Sequence, residues 1–316
     1  MILPSRRNAL GEKSGQLPNL DAGNGERTQY SRHAWPVAPA FSVVRDIGSH
    51  HVLKIALTAL GIAWRQRDAS APAPYGQGAP VARENHTQFR NRLLSAFAQD
   101  DLDQFFSDLH PESFPLRQIY SEGGLIEHVY FVEEGLASVL KGMENGSTIE
   151  VGMIGIEGMV GMPALLGAET SAHQVIIQIP ATLLRMDAAR CKLAFDRSAA
   201  VRNIVHRFTV SFLNQSAQTA ACNRLHSVEQ RCARWLLMSS DRVQSDVMAM
   251  THEFLSVMLG VRRAGVSEIA EELQRSGIIQ YHRGQLRIVD REALEATACE
   301  CYQLDRARFE RLSLRP

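Results

Sequence analysis

The stretch from residue 250 to residue 289 constrains the fold more than any other part of this 316-residue chain. Thr251 is placed to cap a short helix, and Gly260 follows that helix where a tight turn needs the positive φ that glycine adopts at little cost. A second helix is predicted over 262–276, and the apolar positions of the two helices fit packing at a large angle. The stretch therefore predicts a helix-turn-helix unit.

Two strand-like runs follow this unit. Residues 278–281 and 286–289 flank a turn at 282–285, which predicts a β-hairpin, or wing. A helix fits the major groove of DNA, its first turn can meet base edges, and arginine can pair with guanine through two hydrogen bonds. A wing reaches phosphates. The candidate DNA contacts are therefore Arg262, Arg263, Ser267, His282 and Arg283.

The charges of this block leave an alternative open. Its arginines and carboxylates nearly balance, and the whole chain has a formal net charge of zero, so no basic field indicates a nucleic-acid partner. The second hypothesis is an effector-sensing or protein-interaction module whose helix-turn-helix no longer binds DNA. The two hypotheses differ at Arg262 and Arg263, which should be exposed for DNA binding and paired with carboxylates otherwise.

A different texture covers residues 113–187, where short apolar runs alternate with glycine turns. The runs 128–132 and 174–179 have the composition of strands. Asn145-Gly146, between two such runs, is a strong hairpin signal because both central residues of a type I′ turn need positive φ. Many short strands joined by regular turns are typical of an antiparallel roll, sandwich or barrel.

A long helix is predicted from about Ser198 to Leu225. One stripe along it follows alternating steps of three and four residues, the spacing of a coiled-coil seam, so we expect a homodimer held through it. The alternative is that the stripe packs on the chain's own β domain. A capping box at Ser227 and Gln230 then starts a new helix and a new domain. The predicted dimer seam consists of Val205, Phe208, Phe212, Gln215 and Thr219, with Cys222 at its end.

These patterns give an α+β chain in which an antiparallel β-roll is joined by a long dimerisation helix to a C-terminal winged helix-turn-helix. Residues 1–86 mix proline, glycine and polar residues and are predicted to be a disordered or over-extended N-terminal segment. The other predicted parts are a β-roll sensor domain at 87–197, the dimerisation helix at 198–226, the winged helix-turn-helix domain at 227–302 and a C-terminal tail at 303–316.

Composition and short motifs narrow the class of protein further. The five cysteines are an odd number and lie in helical patterns, so we expect reduced thiols and a cytoplasmic protein. The apolar run at 52–64 is too short to span a bilayer, so no membrane partner is expected. The sequence has no Gly-Lys-Ser/Thr phosphate loop, no Gly-x-Ser-x-Gly elbow and no His-Glu-x-x-His pair, so an enzyme is not predicted.

From about residue 91 to residue 302 the sequence resembles the Crp/Fnr superfamily of bacterial transcription regulators. The resemblance is carried by residues 126–135, 155–161 and 220–226, together with the block 250–289. It implies a cyclic-nucleotide-binding-like β-roll, a long dimer helix and a winged helix-turn-helix that reads a palindromic operator in double-stranded DNA. RNA polymerase is a further candidate partner, and the effector stays unknown.

One departure from the family pattern concerns cyclic nucleotides. Responsive members carry a Gly-Glu pair followed by an Arg-Ser or Arg-Thr pair, whose acid and arginine take the ribose hydroxyl and the phosphate. The aligned pairs here are Gly161-Met162 and Ser171-Ala172. A buried cyclic phosphate without a cation is costly to desolvate, so a response to cyclic nucleotides is not expected.

A second departure concerns the recognition helix, which in many members reads Arg-Glu-x-x-x-Arg. The aligned positions are Arg263, Ala264 and Glu268, so only the first arginine carries over. We therefore expect a DNA target that differs from the consensus of those members.

The sequence offers few ligand residues for the other cofactors known in the superfamily. Oxygen-sensing members hold an iron–sulfur cluster with an N-terminal cysteine group, and no cysteine precedes Cys191 here. His128 and His173 are haem-ligand candidates, although each is more simply a polar residue at a strand edge. No cofactor is predicted.

Two groups of metal-ligand residues remain. Cys222, His226 and Cys232 could supply three ligands, and Cys299-Glu300-Cys301 could be a redox pair or half of a metal site. The simpler interpretation of the first group is that its residues pack at a helix junction. The simpler interpretation of the second is that its cysteines are ordinary thiols of a terminal helix. No metal is predicted.

Overall fold

The computed structural model describes residues 89–107 and 109–311. The N-terminal segment 1–86 lies outside these residues, so its interpretation stays a prediction. None of the helices in the described residues is long and apolar enough to cross a membrane. Strands and helices follow one another there in an order that confirms the predicted α+β class.

Within the described residues, two short helices precede the first sheet, α1 (Arg92–Ala96) and α2 (Gln99–Phe105). Asn91 caps α1, because its side-chain oxygen accepts hydrogen bonds from the first backbone N–H groups of the helix. Its side-chain amide donates to the carbonyls of Val132 and Gly158, at 3.0 and 2.8 Å. One buried asparagine therefore both starts the helix and fixes it to the sheet.

The first sheet is antiparallel, with its two longest strands at the centre. The strand order is β1-β6-β3-β4, while β2 also pairs with β6 and β5 with β3. The predicted antiparallel roll is confirmed. Its strands are β1 (His110–Phe114), β2 (Arg117–Tyr120), β3 (His128–Gly142), β4 (Thr148–Ile154), β5 (Met159–Val160) and β6 (Gln174–Asp187).

The predicted hairpin at Asn145-Gly146 joins β3 to β4, but its turn is of another kind. Gly146 has a φ of +81°, whereas Asn145 keeps a negative φ. The side chain of Asn145 instead accepts a hydrogen bond from the N–H of Ser147 at 3.0 Å. The loop is therefore longer than a two-residue type I′ turn and is stabilised by an asparagine side chain.

Two helices follow the sheet, α3 (Ala188–Arg197) and α4 (Ala199–Leu225), and a 3-10 helix at Met162–Leu166 lies between β5 and β6. Ser198 caps α4, with its hydroxyl accepting from the N–H of Val201 at 3.2 Å. The helix has the extent expected for the long helix. It connects the β-roll to the helices of the second domain.

The second domain begins at the predicted capping box, in which Ser227 and Gln230 exchange side-chain and backbone hydrogen bonds of 3.1 and 3.2 Å. Its second sheet has the order β7-β9-β8, so the predicted wing is confirmed and a third strand widens it. The elements are α5 (Val228–Val243), β7 (Val247–Ala249), α6 (His252–Leu259), α7 (Arg263–Arg275), β8 (Ile279–His282), β9 (Gln285–Ile288), α8 (Arg291–Thr297) and α9 (Cys301–Arg311).

The assignment of residues 303–316 to a tail is wrong for the part that is described, because α9 continues to Arg311 and packs on α4 and α5. Arg234 on α5 donates to the Oδ2 of Asp305 at 2.6 Å, and both side chains are buried. The Phe309 ring lies 3.9 Å from the guanidinium of Arg92. These contacts hold the last helix to the body of the protein.

Candidate nucleic-acid interface

The turn between α6 and α7 requires a glycine for two reasons. Gly260 ends α6 in the left-handed region, with a φ of 63°. A Cβ at this position would also lie only 2.7 Å from the Cδ1 of Ile149 on β4. At the other end of α6, the Thr251 hydroxyl accepts a hydrogen bond from the N–H of Phe254 at 3.1 Å, as predicted.

One face of α7 is fixed in the core and the other is exposed. Val266, Ala270 and Leu273 are buried on the inner face. The first turn of the helix lies at the surface, and its N-cap residue Arg262 makes no side-chain capping bond. The free backbone N–H groups and the positive end of the helix dipole at this turn favour a phosphate or a base acceptor.

Both arginines at the start of α7 are exposed, as DNA binding requires. Arg262 makes no ion pair within the described residues, and the side chain of Arg263 is 69% exposed. The Nε of Arg263 lies 3.9 Å from a carboxylate oxygen of Glu253, at the limit of an ion pair. A contact this long and this exposed is worth well under about 1 kcal/mol, so a DNA ligand can displace it.

Ser267 is less free than predicted, because its hydroxyl lies 3.0 Å from the Nδ1 of His252 on α6. The His252 ring lies against the Tyr281 ring on the wing, with centroids 4.5 Å apart. Burial, followed by the nearby charge of Arg263, lowers the pKa of His252. Sequence reasoning missed His252, whose position next to the capping Thr251 gave no sign that it joins α6, α7 and the wing.

The wing ends in a two-residue turn with a demanding backbone. Arg283 and Gly284 have φ values of 47° and 77°, which are the two positive angles of a type I′ turn. His282 and Arg283 are both exposed at this tip. The N–H of Met250 donates to the carbonyl of Gly284 at 2.7 Å, so the tip is anchored to the segment that leads into α6.

The positions where α7 departs from the family pattern are also exposed. Ala264 and Glu268 lie at the surface of the helix, beyond Arg263. A carboxylate in a groove can accept a hydrogen bond from the amino group of cytosine, whereas arginine seeks guanine. Because Glu268 is exposed, we still expect a DNA target that differs from the family consensus.

The predicted dimer seam faces the chain's own β-roll, so this assignment is contradicted. Phe208 is 3% exposed, and its ring fills the space where Gly158 lacks a Cβ. The Phe212 ring packs in the same way over Gly152. Gln215 accepts a hydrogen bond from the N–H of Met153 at 2.7 Å. Phe208 and Gln215 are therefore buried within the chain, and Phe212 is partly covered by the same sheet.

The two ends of the predicted stripe are engaged within the chain as well. Val205 is 1% exposed. The Thr219 hydroxyl accepts from the guanidinium of Arg234 at 3.2 Å. The alternative weighed for this stripe, packing on the chain's own domains, is therefore the correct one.

Another stripe on α4 is apolar and exposed. Val210 and Leu213 are 57% and 61% exposed, and Ala217 and Ala220 are exposed beside them. Their spacing of three, four and three residues is again that of a coiled-coil seam. Two stripes with seam spacing therefore lie on one helix, and only this one, the outer stripe, is uncovered.

The positions that bind cyclic nucleotides in responsive relatives carry no charge here. Met162 is half-buried and lies 3.1 Å from the hydroxyl of Thr209 on α4. The Ser171 hydroxyl donates to the carbonyl of His173 at 2.7 Å. Lys141 approaches Ala172 but is paired with Glu122.

The two haem-ligand candidates lie in ordinary polar surroundings. The Nε2 of His128 is 3.4 Å from the guanidinium of Arg185 on β6. His173 is half-buried next to Ser171, and burial lowers its pKa. The contact with Arg185 leaves the interpretation of His128 as a strand-edge residue in place.

Two family models match the sequence. A cyclic nucleotide-binding domain matches residues 117–197, and a Crp-like helix-turn-helix domain matches residues 230–297. The first match runs from β2 to α3, and the second runs from α5 to α8. The chain therefore joins a β-roll of the cyclic nucleotide-binding type to a DNA-binding helix-turn-helix domain.

Solved regulators share this fold. FixK2 from Bradyrhizobium japonicum is 18% identical, with a TM-score of 0.53 over 60% of this chain and 98% of that one. A CRP-family transcriptional regulator from Thermus thermophilus is 21% identical, with a TM-score of 0.52 over 59% and 96%. The c-di-GMP-responsive global regulator CLP of Xanthomonas campestris is 17% identical, with a TM-score of 0.51 over 60% and 99%. No curated protein matches the sequence significantly. In domain content the chain combines a cyclic nucleotide-binding domain with a Crp-like helix-turn-helix domain, and its fold is that of these solved regulators.

Proposed function

We propose that the chain is a homodimeric, sequence-specific DNA-binding transcription regulator that acts without a cyclic nucleotide. The observation that carries the proposal is the exposed first turn of α7, where Arg262 makes no ion pair within the described residues and Arg263 has only a long, exposed contact with Glu253. If the helix-turn-helix had become a protein-interaction module, these arginines would be expected to pair with neighbouring carboxylates.

In the proposed complex, α7 enters the major groove with its N-terminal turn foremost. Arg263 reads a base edge, and a bidentate contact with guanine contributes about 1–3 kcal/mol of discrimination. Arg283 at the wing tip reaches phosphate, which adds affinity without sequence information. Ser267 fixes His252 and supports the position of α7 rather than reading a base itself.

The proposed dimer forms through the outer stripe, Val210, Leu213, Ala217 and Ala220. Its exposed apolar surface and seam spacing suit a second copy of α4 in a two-fold arrangement. Such a dimer presents two recognition helices to half-sites about 34 Å apart on one face of the duplex, so the operator is palindromic.

A regulator with this β-roll is proposed to ignore cyclic nucleotides. Met162, Ser171 and Ala172 offer neither a carboxylate for a ribose hydroxyl nor a guanidinium for a phosphate. Calorimetry with cyclic AMP and cyclic GMP should therefore show no binding at micromolar concentrations. Micromolar affinity would refute this part of the proposal and leave the DNA-binding part intact.

The central experiment compares two arginines on DNA sites obtained by random-site selection. Arg263→Ala should cost about 1–3 kcal/mol on the selected site and flatten the preference at one base pair per half-site. Arg283→Asn keeps the positive φ of the wing turn, because asparagine tolerates it. It should weaken selected and random DNA alike and lower the salt slope by about one unit per wing.

Arg197→Ala is the matched control, since Arg197 is an exposed arginine on α3 of the β-roll. It should change neither the base preferences nor the salt slope. Failure of the selection to enrich any sequence would favour the protein-interaction module, and unchanged base preferences in Arg263→Ala would show that α7 does not read DNA as proposed.

A further inference from the structure

Four metal-ligand side chains meet where the long helix ends. Cys222 and His226 lie at the C-terminal end of α4, Cys299 lies two residues before α9, and Cys301 is the first residue of α9. Their ligand atoms all lie within 4.8 Å of one another. The three cysteines are buried and form a cluster of their own. Residues more than seventy positions apart in the sequence are therefore brought to one point by the fold.

The distances within this cluster suit a single metal ion. Cys222 Sγ lies 3.5 Å from Cys299 Sγ, and Cys301 Sγ lies 3.5 Å from His226 Nδ1. Zinc bonds of about 2.3 Å to sulfur and 2.0 Å to nitrogen, arranged as a tetrahedron, place neighbouring ligand atoms about 3.5–3.8 Å apart. An iron–sulfur cluster needs more room, because several iron and sulfide atoms must lie between its ligands.

The histidine already presents the correct nitrogen. His226 Nε2 lies 3.2 Å from a carboxylate oxygen of Glu300, and a negative charge at this distance favours the tautomer with its proton on Nε2. Nδ1 then keeps its lone pair, and it is Nδ1 that faces Cys301. A carboxylate that fixes the tautomer of a ligating imidazole is a regular feature of zinc sites.

Burial raises the pKa of each of the three thiols, whereas an amide donor and two cations beside the cluster act in favour of bound thiolates. Gln218 Nε2 lies 3.0 Å from Cys301 Sγ, and an amide donor stabilises a coordinating sulfur. Arg231 and Arg234 on α5 are buried, and both guanidinium groups are within electrostatic reach of Cys222. A zinc ion with three thiolates carries one net negative charge, which Arg231 can offset, since Arg234 is already paired with Asp305.

We propose that Cys222, His226, Cys299 and Cys301 bind one structural Zn²⁺. A set of three thiolates and one imidazole is a closed tetrahedral site, and zinc is the ion such sites hold. Binding releases the three thiol protons, which are replaced by bonds to the metal. The burial of the cysteines leaves no open position for a substrate, so the role is structural.

The site joins the helix that carries the outer stripe to the DNA-binding domain. α4 carries the outer stripe, and Cys222 and His226 lie at its end, just before the capping box that opens the DNA-binding domain. α9 follows the wing and packs on α4 and α5. A metal at this junction therefore fixes the angle between the dimer helix and the helix-turn-helix, whatever the domain binds.

The test measures metal rather than DNA, so its outcome is separate from that of the proposed function. The full chain, purified under reducing conditions without chelator, should contain one zinc ion per chain by mass spectrometry. The metal-free protein, titrated with Co²⁺, should develop the visible bands of tetrahedral cobalt and a thiolate charge-transfer band. Chelation should lower the Tm of the wild type.

Cys301→Ser should lose the metal, the cobalt spectrum and the effect of chelator on the Tm. Cys232→Ala is the matched control, because Cys232 is an equally buried thiol on α5 that belongs to a different cluster. It should retain all three. If Cys301→Ser fails to fold, His226→Ala in the half-buried position replaces it.

Three results would overturn the proposal. Iron together with acid-labile sulfide would identify a cluster instead of a single ion. A Cys222–Cys299 disulfide in peptides from protein handled without reductant, with no metal in the reduced protein, would identify a redox pair. No bound metal, or equal metal in Cys301→Ser and the wild type, would leave the four residues as packing.

Discussion

Trp235 donates its indole N–H to a carboxylate oxygen of Glu150 at 2.9 Å, and this bond joins α5 of the DNA-binding domain to β4 of the β-roll. Glu150 is 6% exposed and also accepts from the hydroxyl of Ser138 at 2.6 Å. Burial raises the pKa of Glu150 to about 7, although both hydrogen bonds work in the opposite direction. The joint between the domains therefore contains a carboxyl group that titrates near neutrality.

This pKa predicts how stability depends on pH. The carboxyl is protonated in the folded state up to about pH 7, whereas in the unfolded chain it ionises above its ordinary pKa of 4.5. The unfolded state therefore binds fewer protons between these values, and the free energy of unfolding falls as the pH rises from about 4.5 to about 7. Glu150→Gln should remove this fall, which is on the order of 3 kcal/mol at most.

Denaturant unfolding of wild type and Glu150→Gln between pH 4.5 and 8 measures the effect. Glu144→Gln, an exposed carboxylate in the loop between β3 and β4, is the control and should keep the pH dependence of the wild type. Parallel pH curves for wild type and Glu150→Gln would show that Glu150 is not the titrating group.

A buried ion pair forms a second joint between the domains. Arg242 on α5 donates from Nε to Glu157 of the β-roll at 2.8 Å, and both side chains are at most 5% exposed. Arg242→Leu leaves the carboxylate buried without its partner, so it should cost about 3–5 kcal/mol in chemical unfolding. The double variant with Glu157→Gln should recover much of that loss.

An exposed pair serves as the comparison. Arg185 and Glu112 lie 3.5 Å apart with side chains more than a third exposed. Glu112→Gln should cost less than about 1 kcal/mol. Similar losses at the two pairs would contradict the view that the joint at Arg242 depends on burial.

The two stripes of α4 predict opposite results for the same substitution. Leu213→Asp places a charge in the proposed seam, at a position that is exposed in the single chain. Light scattering should therefore give a folded monomer with little change in Tm. Phe208→Asp buries a charge against the chain's own β-roll and should abolish the fold. A dimeric Leu213→Asp protein, or a folded monomer from Phe208→Asp, would reverse the assignment of the stripes.

Two glycines of the helix-turn-helix should respond differently to alanine. Gly260→Ala meets both an unfavourable φ and the side chain of Ile149, so it should destabilise by more than about 1 kcal/mol. Gly265 lies within α7 with open space around it, so Gly265→Ala should stabilise by about 0.5–1 kcal/mol. Thermal unfolding of the two variants checks the signs, and equal signs would contradict this placement of the turn.

The sequence predicted the helix-turn-helix because its signals are local. Thr251, Gly260 and the Ser227 capping box each act on residues no more than a few positions away, so their spacing specifies the structure directly. The wing was predicted for the same reason. The positive φ of Arg283 was not predicted, because arginine rarely adopts this conformation.

The seam could not be assigned from spacing alone. Phe208 and Leu213 lie on stripes with the same periodicity, and nothing in the sequence says which stripe the β-roll covers. The glycines at 152 and 158, which make room for aromatic rings, were the available signal. The cluster at Cys222 and Cys301 could not be predicted for a further reason, because it depends on how α9 packs back against α4.

The contact between Ile149 and Gly260 brings strand β4 of the β-roll directly against the turn that precedes α7. A single isoleucine side chain separates the β4 strand of the roll from the turn that aims α7. A displacement of β4 toward the turn would press the Ile149 side chain against Gly260, so the turn is expected to respond to a movement of this strand. Together with the Trp235–Glu150 and Arg242–Glu157 bonds, this contact connects the roll to the DNA-binding domain at points away from the length of α4.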